Sequence, residues 1–138
     1  MKLSFYVSLL LFTSLIFSQT HPNNDPTTAQ AVTLSQNLCG ELTDGTLIGA
    51  TNSGKGESVC ETGVKSDVWY TVKVPSTRLL GLEVSVDNLE PLVPAIDIYR
   101  GTPDNLRFKA CSSAEPNGKK VTYTFIDPDD DLVAGETL

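Results

Sequence analysis

Asp127, Asp129, Asp130 and Asp131 put four carboxylates within five residues. A hard cation such as calcium takes roughly six to eight oxygens from carboxylates and loop carbonyls, so this run is the candidate metal site. Its spacing is not that of an EF-hand, because no glycine and distal glutamate follow where that loop needs them. The alternative is a charged loop that is only solvated. Trp69 and Tyr99 are the candidate ligand-binding residues, since aromatic faces stack on sugar rings. Trp69 and Tyr70 are neighbours on a strand and point to opposite faces, so they cannot share one platform. Nucleophilic catalysis needs a base beside the nucleophile, and His21 is the sole histidine. A Ser-His-Asp set is thereby excluded. Cys111 as a nucleophile would need surroundings that lower its pKa. Asp97, Asp104, Asp127 and the Asp129–Asp131 run offer carboxylates for glycoside hydrolysis, but acidic residues in turns are ordinarily solvated. The expectation is a chain without catalytic machinery.

The elements that would carry these residues start with an export signal. Lys2 supplies a positive charge, and Phe5 to Phe17 is an uncharged run of thirteen residues. That fits a signal-peptide core of about 7–15 residues and falls short of the roughly 20 needed to span a bilayer. Ser18 is small enough to precede the cut. Residues 1–18 therefore read as a signal peptide, with an uncleaved anchor as the alternative. Residues 19–28 read as a polar leader, and 29–138 as one domain. Seventeen acidic residues against ten Lys and Arg give a net charge of −7. That balance argues against nucleic acid, whose phosphates need a basic footprint. It also argues against docking on anionic lipid. No membrane span is expected once the signal is cleaved. Cys39, Cys60 and Cys111 allow three single pairings in an oxidising compartment, and their spacing is not that of a zinc motif.

Alternation of apolar and polar residues predicts strands. Val68, Tyr70, Val72 and Val74 share one face, with Trp69, Thr71 and Lys73 on the other. Leu80, Leu82, Val84 and Val86 repeat the pattern, and the two runs are expected to form an antiparallel hairpin. Further strands are predicted at Ala29–Leu34, Thr46–Thr51, Pro94–Tyr99, Leu106–Cys111 and Val121–Phe125. Turns are marked by Arg100 to Asp104 and by Glu115-Pro116-Asn117-Gly118. Gly135 to Leu138 reads as a turn leading into a strand that the chain leaves unfinished. No helical period is sustained, so the class is all-β.

The order of these motifs resembles the bacterial pre-peptidase C-terminal domain family. The resemblance rests on Asn24-Asp25, Ala29, Ala31, Gly45 to Thr51, Cys60 and Asp67-Val68-Trp69-Tyr70. It continues through Ile96 to Gly101, Leu106 to Cys111 and Ala134 to Leu138. It implies a jelly-roll-like antiparallel β-sandwich, truncated here at its C-terminal strands. It also implies a non-catalytic module of a larger secreted or cell-surface protein that uses type IX secretion. The role implied is structural, adhesive or substrate-engaging, with partners in downstream domains of the same polypeptide and in a glycan or cell-surface ligand. A carbohydrate-binding or calcium-dependent adhesive module is one alternative, and an accessory segment of a secreted peptidase is another. Pro26 and Pro103 stand where relatives often carry cysteines, which would deprive Cys111 of its usual partner. The relatives' pattern pairs Cys39 with Cys60, closing a loop of about 22 residues for roughly 3 kcal/mol in the chain-entropy model.

Overall fold

Alternation at period two decides which side chains go inward, and the Val68–Val74 run follows it. Val72 and Val74 are buried while Lys73 between them is exposed. In the computed structural model the described residues are 21–35, 42–56, 58–61, 66–87, 93–115, 118–126 and 131–138. A short 3-10 turn, Pro26–Thr28, is followed by β1 (Gln30–Ala31), β2 (Tyr70–Thr71), β3 (Leu80–Ser85), β4 (Ala95–Thr102), β5 (Asn105–Ser113) and β6 (Lys120–Phe125). The described residues are thus all-β, in three two-stranded ladders: β1–β2, β3–β6 and β4–β5. The last two are antiparallel, whereas β1 and β2 run parallel, unlike the wholly antiparallel expectation.

Both backbone edges of the segment around β2 are occupied. The carbonyls of Trp69 and Thr71 accept the N–H groups of Gln30 and Val32 at 3.0 and 2.8 Å. On the other edge Val72 and Leu138 exchange two bonds at 3.0 Å. The Val74 N–H donates to the Glu136 carbonyl at 2.9 Å, and the Gly135 N–H to the Val74 carbonyl at 2.8 Å. Lys73 and Thr137 form an antiparallel bridge. Gly135, at φ +82°, makes the turn that brings this last segment in.

That occupancy explains one correction. The hairpin expected between residues 67–74 and 80–86 does not form, because the donors and acceptors of the first run are already committed. β3 pairs with β6 instead, from Leu80 opposite Phe125 to Ser85 opposite Lys120. Thr46–Thr51 is likewise not a strand. Ile48 and Gly49 form a turn closed by Ala50 N–H to the Leu47 carbonyl at 3.0 Å, with Gly49 at φ +82°. A residue at positive φ leaves the extended region, so strand-like composition does not prevail there.

The β4–β5 hairpin turns at Pro103-Asp104 and carries a bulge between Ile98 and Tyr99. Ile98 lies opposite Ala110 and Tyr99 opposite Phe108, which leaves Lys109 as the extra residue. The bulge breaks strict alternation along β5, while on β4 consecutive Ile98 and Tyr99 are both buried, so both faces of that strand are covered there. The core is centred on Val72, Val74, Leu80, Ile98, Phe125 and Leu132, drawn from the β3–β6 and β4–β5 ladders, the segment just after β2 and the last loop. Phe125 is 1% exposed and packs its ring 4.8 Å from that of Tyr123.

Candidate functional site

Two of the predicted ligand residues come together, and the bulge sets a third ring, Phe108, opposite one of them. Tyr99, on β4, lies with its ring centroid 5.7 Å from that of Trp69 in the central segment, and 5.9 Å from that of Phe108 on β5. Both spacings fall in the attractive range for offset or edge-to-face aromatic pairs. The result is a row of three rings, Trp69–Tyr99–Phe108. Tyr99 is 9% exposed, Trp69 is half-buried and Phe108 is 44% exposed, so the row opens to solvent at Phe108.

The loop around residues 50–56 covers the other end. The Trp69 indole Nε1 donates to Ser53 Oγ at 3.1 Å. Ser53 is held by Asp67, which accepts from the Ser53 N–H at 2.9 Å and from its hydroxyl at 2.7 Å, one on each carboxylate oxygen. Gly56, at φ +71°, lies on the Tyr99 ring so closely that a Cβ there would stand 2.7 Å from Cζ. Only glycine meets both demands, the positive φ and the close approach. Asn24 ties the start of the loop down, accepting from the Thr51 N–H at 2.6 Å and donating to the Thr51 hydroxyl at 2.9 Å. Asn23, buried, exchanges bonds with the Trp69 backbone: its side chain donates to the carbonyl at 3.0 Å, and its carbonyl accepts the N–H at 2.8 Å. Residues 21–28, expected as a leader, thus lie against the domain. Asp25 caps the Pro26–Thr28 turn by accepting from the Thr27 N–H and hydroxyl, and these bonds hold its carboxyl below its ordinary pKa.

The disulfide corrects the expected pairing. Cys60 is bonded to Cys111, with Cα atoms 5.9 Å apart, and a sulfur in a disulfide takes one partner. Cys60 therefore does not pair with Cys39, which lies outside the described residues, and Cys111 is not left without a partner. The bridge fastens the far end of the covering loop to β5, so the loop is held at Ser53 and again at Cys60.

Among the predicted metal residues, Asp127, Asp129 and Asp130 lie outside the described residues. Asp131 is turned to Arg100, whose Nη1 stands 3.1 Å from its carboxylate. Among the described residues no three His, Cys, Asp or Glu side chains gather as a metal centre. His21 is half-buried, and neither ring nitrogen has a hydrogen-bond partner among the described residues.

Chemically, the row offers one open aromatic edge at Phe108 and two rings whose polar or flat surfaces are engaged by the loop. Ser53, Gly56 and Asn23 build the site and were not singled out from sequence; Asp67 entered only through the resemblance, and Cys111 only as one of three thiols. Asn-Ser-Gly composition marks a loop but not what it covers. The glycine at Gly56 was the only signal of a close approach. No family model, curated protein or solved structure matches this chain.

Proposed function

We propose that this chain is an exported, non-catalytic β-module of a larger secreted or cell-surface protein, of the pre-peptidase C-terminal kind, with a structural or adhesive role. The observation that carries the reading is the Cys60–Cys111 bridge, which joins residues 51 apart in sequence. Such bridges persist in oxidising compartments, and an export signal at residues 1–18 would deliver the chain to one. A further observation supports it. Asn24, Thr51, Asp67 and Trp69, scattered through the resemblance, meet in one hydrogen-bonded cluster. A two-layer jelly roll is the arrangement this reading assigns to the ladders. Expression of the complete chain in a bacterium tests it. Recovery outside the cytoplasm, with residues 1–18 removed and the bridge oxidised, is the expected result. Retention in the cytoplasm with the leader intact would refute it.

The exposed Phe108 edge favours a second reading, a carbohydrate-binding module. A glycan array compared with Phe108→Ala and Trp69→Ala tests this. Signal that survives both substitutions rules out stacking on the row.

A further inference from the structure

One carboxylate oxygen of Asp97, Oδ1, is buried and has no hydrogen-bond partner among the described residues. Buried polar groups are ordinarily paired, so an orphaned one calls for a physical account. Asp97 stands directly opposite Cys111 in the β4–β5 ladder. Side chains at directly opposed positions leave the same face of the hairpin with Cβ atoms roughly 5 Å apart. In the oxidised bridge neither sulfur carries a proton. A reduced Cys111 carries an S–H group, which is a donor. Reduction would therefore bring to Asp97 the donor that it lacks. Cys60, at the other end of the bridge, is exposed and open to attack, and it terminates the loop that lays Gly56 on Tyr99.

We propose that the Cys60–Cys111 bridge is a reducible latch that holds the covering loop over the Trp69–Tyr99–Phe108 row, with Asp97 favouring its opening. The reductant is a dithiol. Its thiolate attacks Cys60 Sγ and forms a mixed disulfide. Cys111 Sγ leaves with the electron pair of the broken bond and takes a proton. The second thiol of the reductant, as thiolate, then attacks its own sulfur in the mixed disulfide and releases Cys60, which is protonated in turn. Two electrons and two protons pass to the protein, and the dithiol becomes a cyclic disulfide. The loop remains anchored at Ser53 by Asp67 and Trp69 but loses its hold at Cys60. Gly56 then lifts from Tyr99, and ring faces closed in the oxidised chain meet solvent. This latch is independent of whether the chain is exported.

Trp69 is the sole tryptophan of the chain and reports directly on the cover. The experiment uses the full-length Cys39→Ser chain, so that only the two bridge cysteines titrate. It is equilibrated across a series of reduced-to-oxidised dithiothreitol ratios. Thiol content, acrylamide quenching of Trp69 and far-ultraviolet circular dichroism are read on the same samples. Quenching is expected to rise severalfold in step with the thiols while the β-spectrum persists. Asp97→Ala is expected to shift the midpoint about tenfold toward higher reductant, the factor expected for one lost hydrogen bond to a charged acceptor. Asp97→Asn keeps the shape, weakens the acceptor and is expected to shift the midpoint the same way, which covers the case in which the alanine variant does not fold. Unchanged quenching after full reduction would overturn the latch, as would loss of the β-spectrum on reduction. A midpoint within twofold of the parent in a folded Asp97 variant would overturn the part assigned to that residue.

Discussion

Replacing Arg100 with methionine should loosen the last segment of the chain from the rest. The Arg100 guanidinium joins β4 to residues 131–136 through three contacts. Nη2 donates to the Asp131 carbonyl at 2.6 Å and to Glu136 Oε1 at 3.3 Å, and Nη1 to Asp131 Oδ2 at 3.1 Å. These contacts are not equal. The Asp131 carboxylate is 77% exposed, so solvent screens it and it contributes little. Glu136 is 18% exposed and also accepts the Val133 N–H at 2.7 Å, which orders the turn before the final pairing. Bonds to charged groups contribute about 1.5–3 kcal/mol each when shielded. The length of the Glu136 contact places the total near the low end, at about 2 kcal/mol. Methionine keeps an apolar stem, so the loss is of polar contacts rather than packing. Hydrogen exchange gives the local readout. The amides of Val72, Val74, Gly135 and Leu138 close the final pairing. They should exchange about thirtyfold faster if that segment opens as a unit. Denaturant unfolding supplies the total. A change under about 0.5 kcal/mol, or unchanged protection of those four amides, would refute the assignment. A double-mutant cycle checks the ranking: Arg100 should couple to Glu136 more strongly than to the Asp131 side chain. Equal coupling would show that exposure does not decide the matter.

Phe125→Ala should cost about 3–5 kcal/mol, because the ring is fully enclosed and its loss leaves a cavity among the core side chains; a loss below about 1 kcal/mol in urea unfolding would mean that the site collapses freely. Gly56→Ala should displace the covering loop, since its Cβ meets the Tyr99 ring and its φ is positive. Trp69 emission should then shift to the red, and an unchanged spectrum would count against the cover. For Asp25 the folded pKa is depressed below the ordinary value of 3.8. Its contribution to stability is present above that value and lost as pH falls through the lower, folded one. Asp25→Ala should therefore flatten the acid side of the stability profile, and a parallel curve would exclude the cap.

The faces of the strands were legible because period two is a local property. Val72 and Val74, Leu80, Val121 and Phe125 are buried where alternation predicts. Partners were not legible. Which run β3 joins depends on whether the edge of Val72–Val74 is already taken, and that is settled by residues more than sixty positions away. Tyr99 was a candidate beside Trp69, but Phe108 was not: it lies opposite Tyr99 only because of the bulge at Lys109, and one extra residue leaves no mark on composition. The disulfide was misread for a related reason. Resemblance favoured Cys39 with Cys60, whereas the fold brings Cys60 to β5, and spacing along the chain cannot choose among three sulfurs.

Because the Val68–Val74 run is zipped on one side to residues near position 30 and on the other to residues near 138, its ladder is built from remote partners. Such pairings carry a large loop-closure entropy and form slowly. A nascent polypeptide emerging amino terminus first holds that run with one flank bare until residues 135–138 appear. The local β4–β5 hairpin can form long before then. The assembly order is thus imposed by topology: hairpin early, central ladder last. An interrupted nascent chain should display a protected hairpin beside an unsealed strand edge, which is the species most prone to wrong pairing.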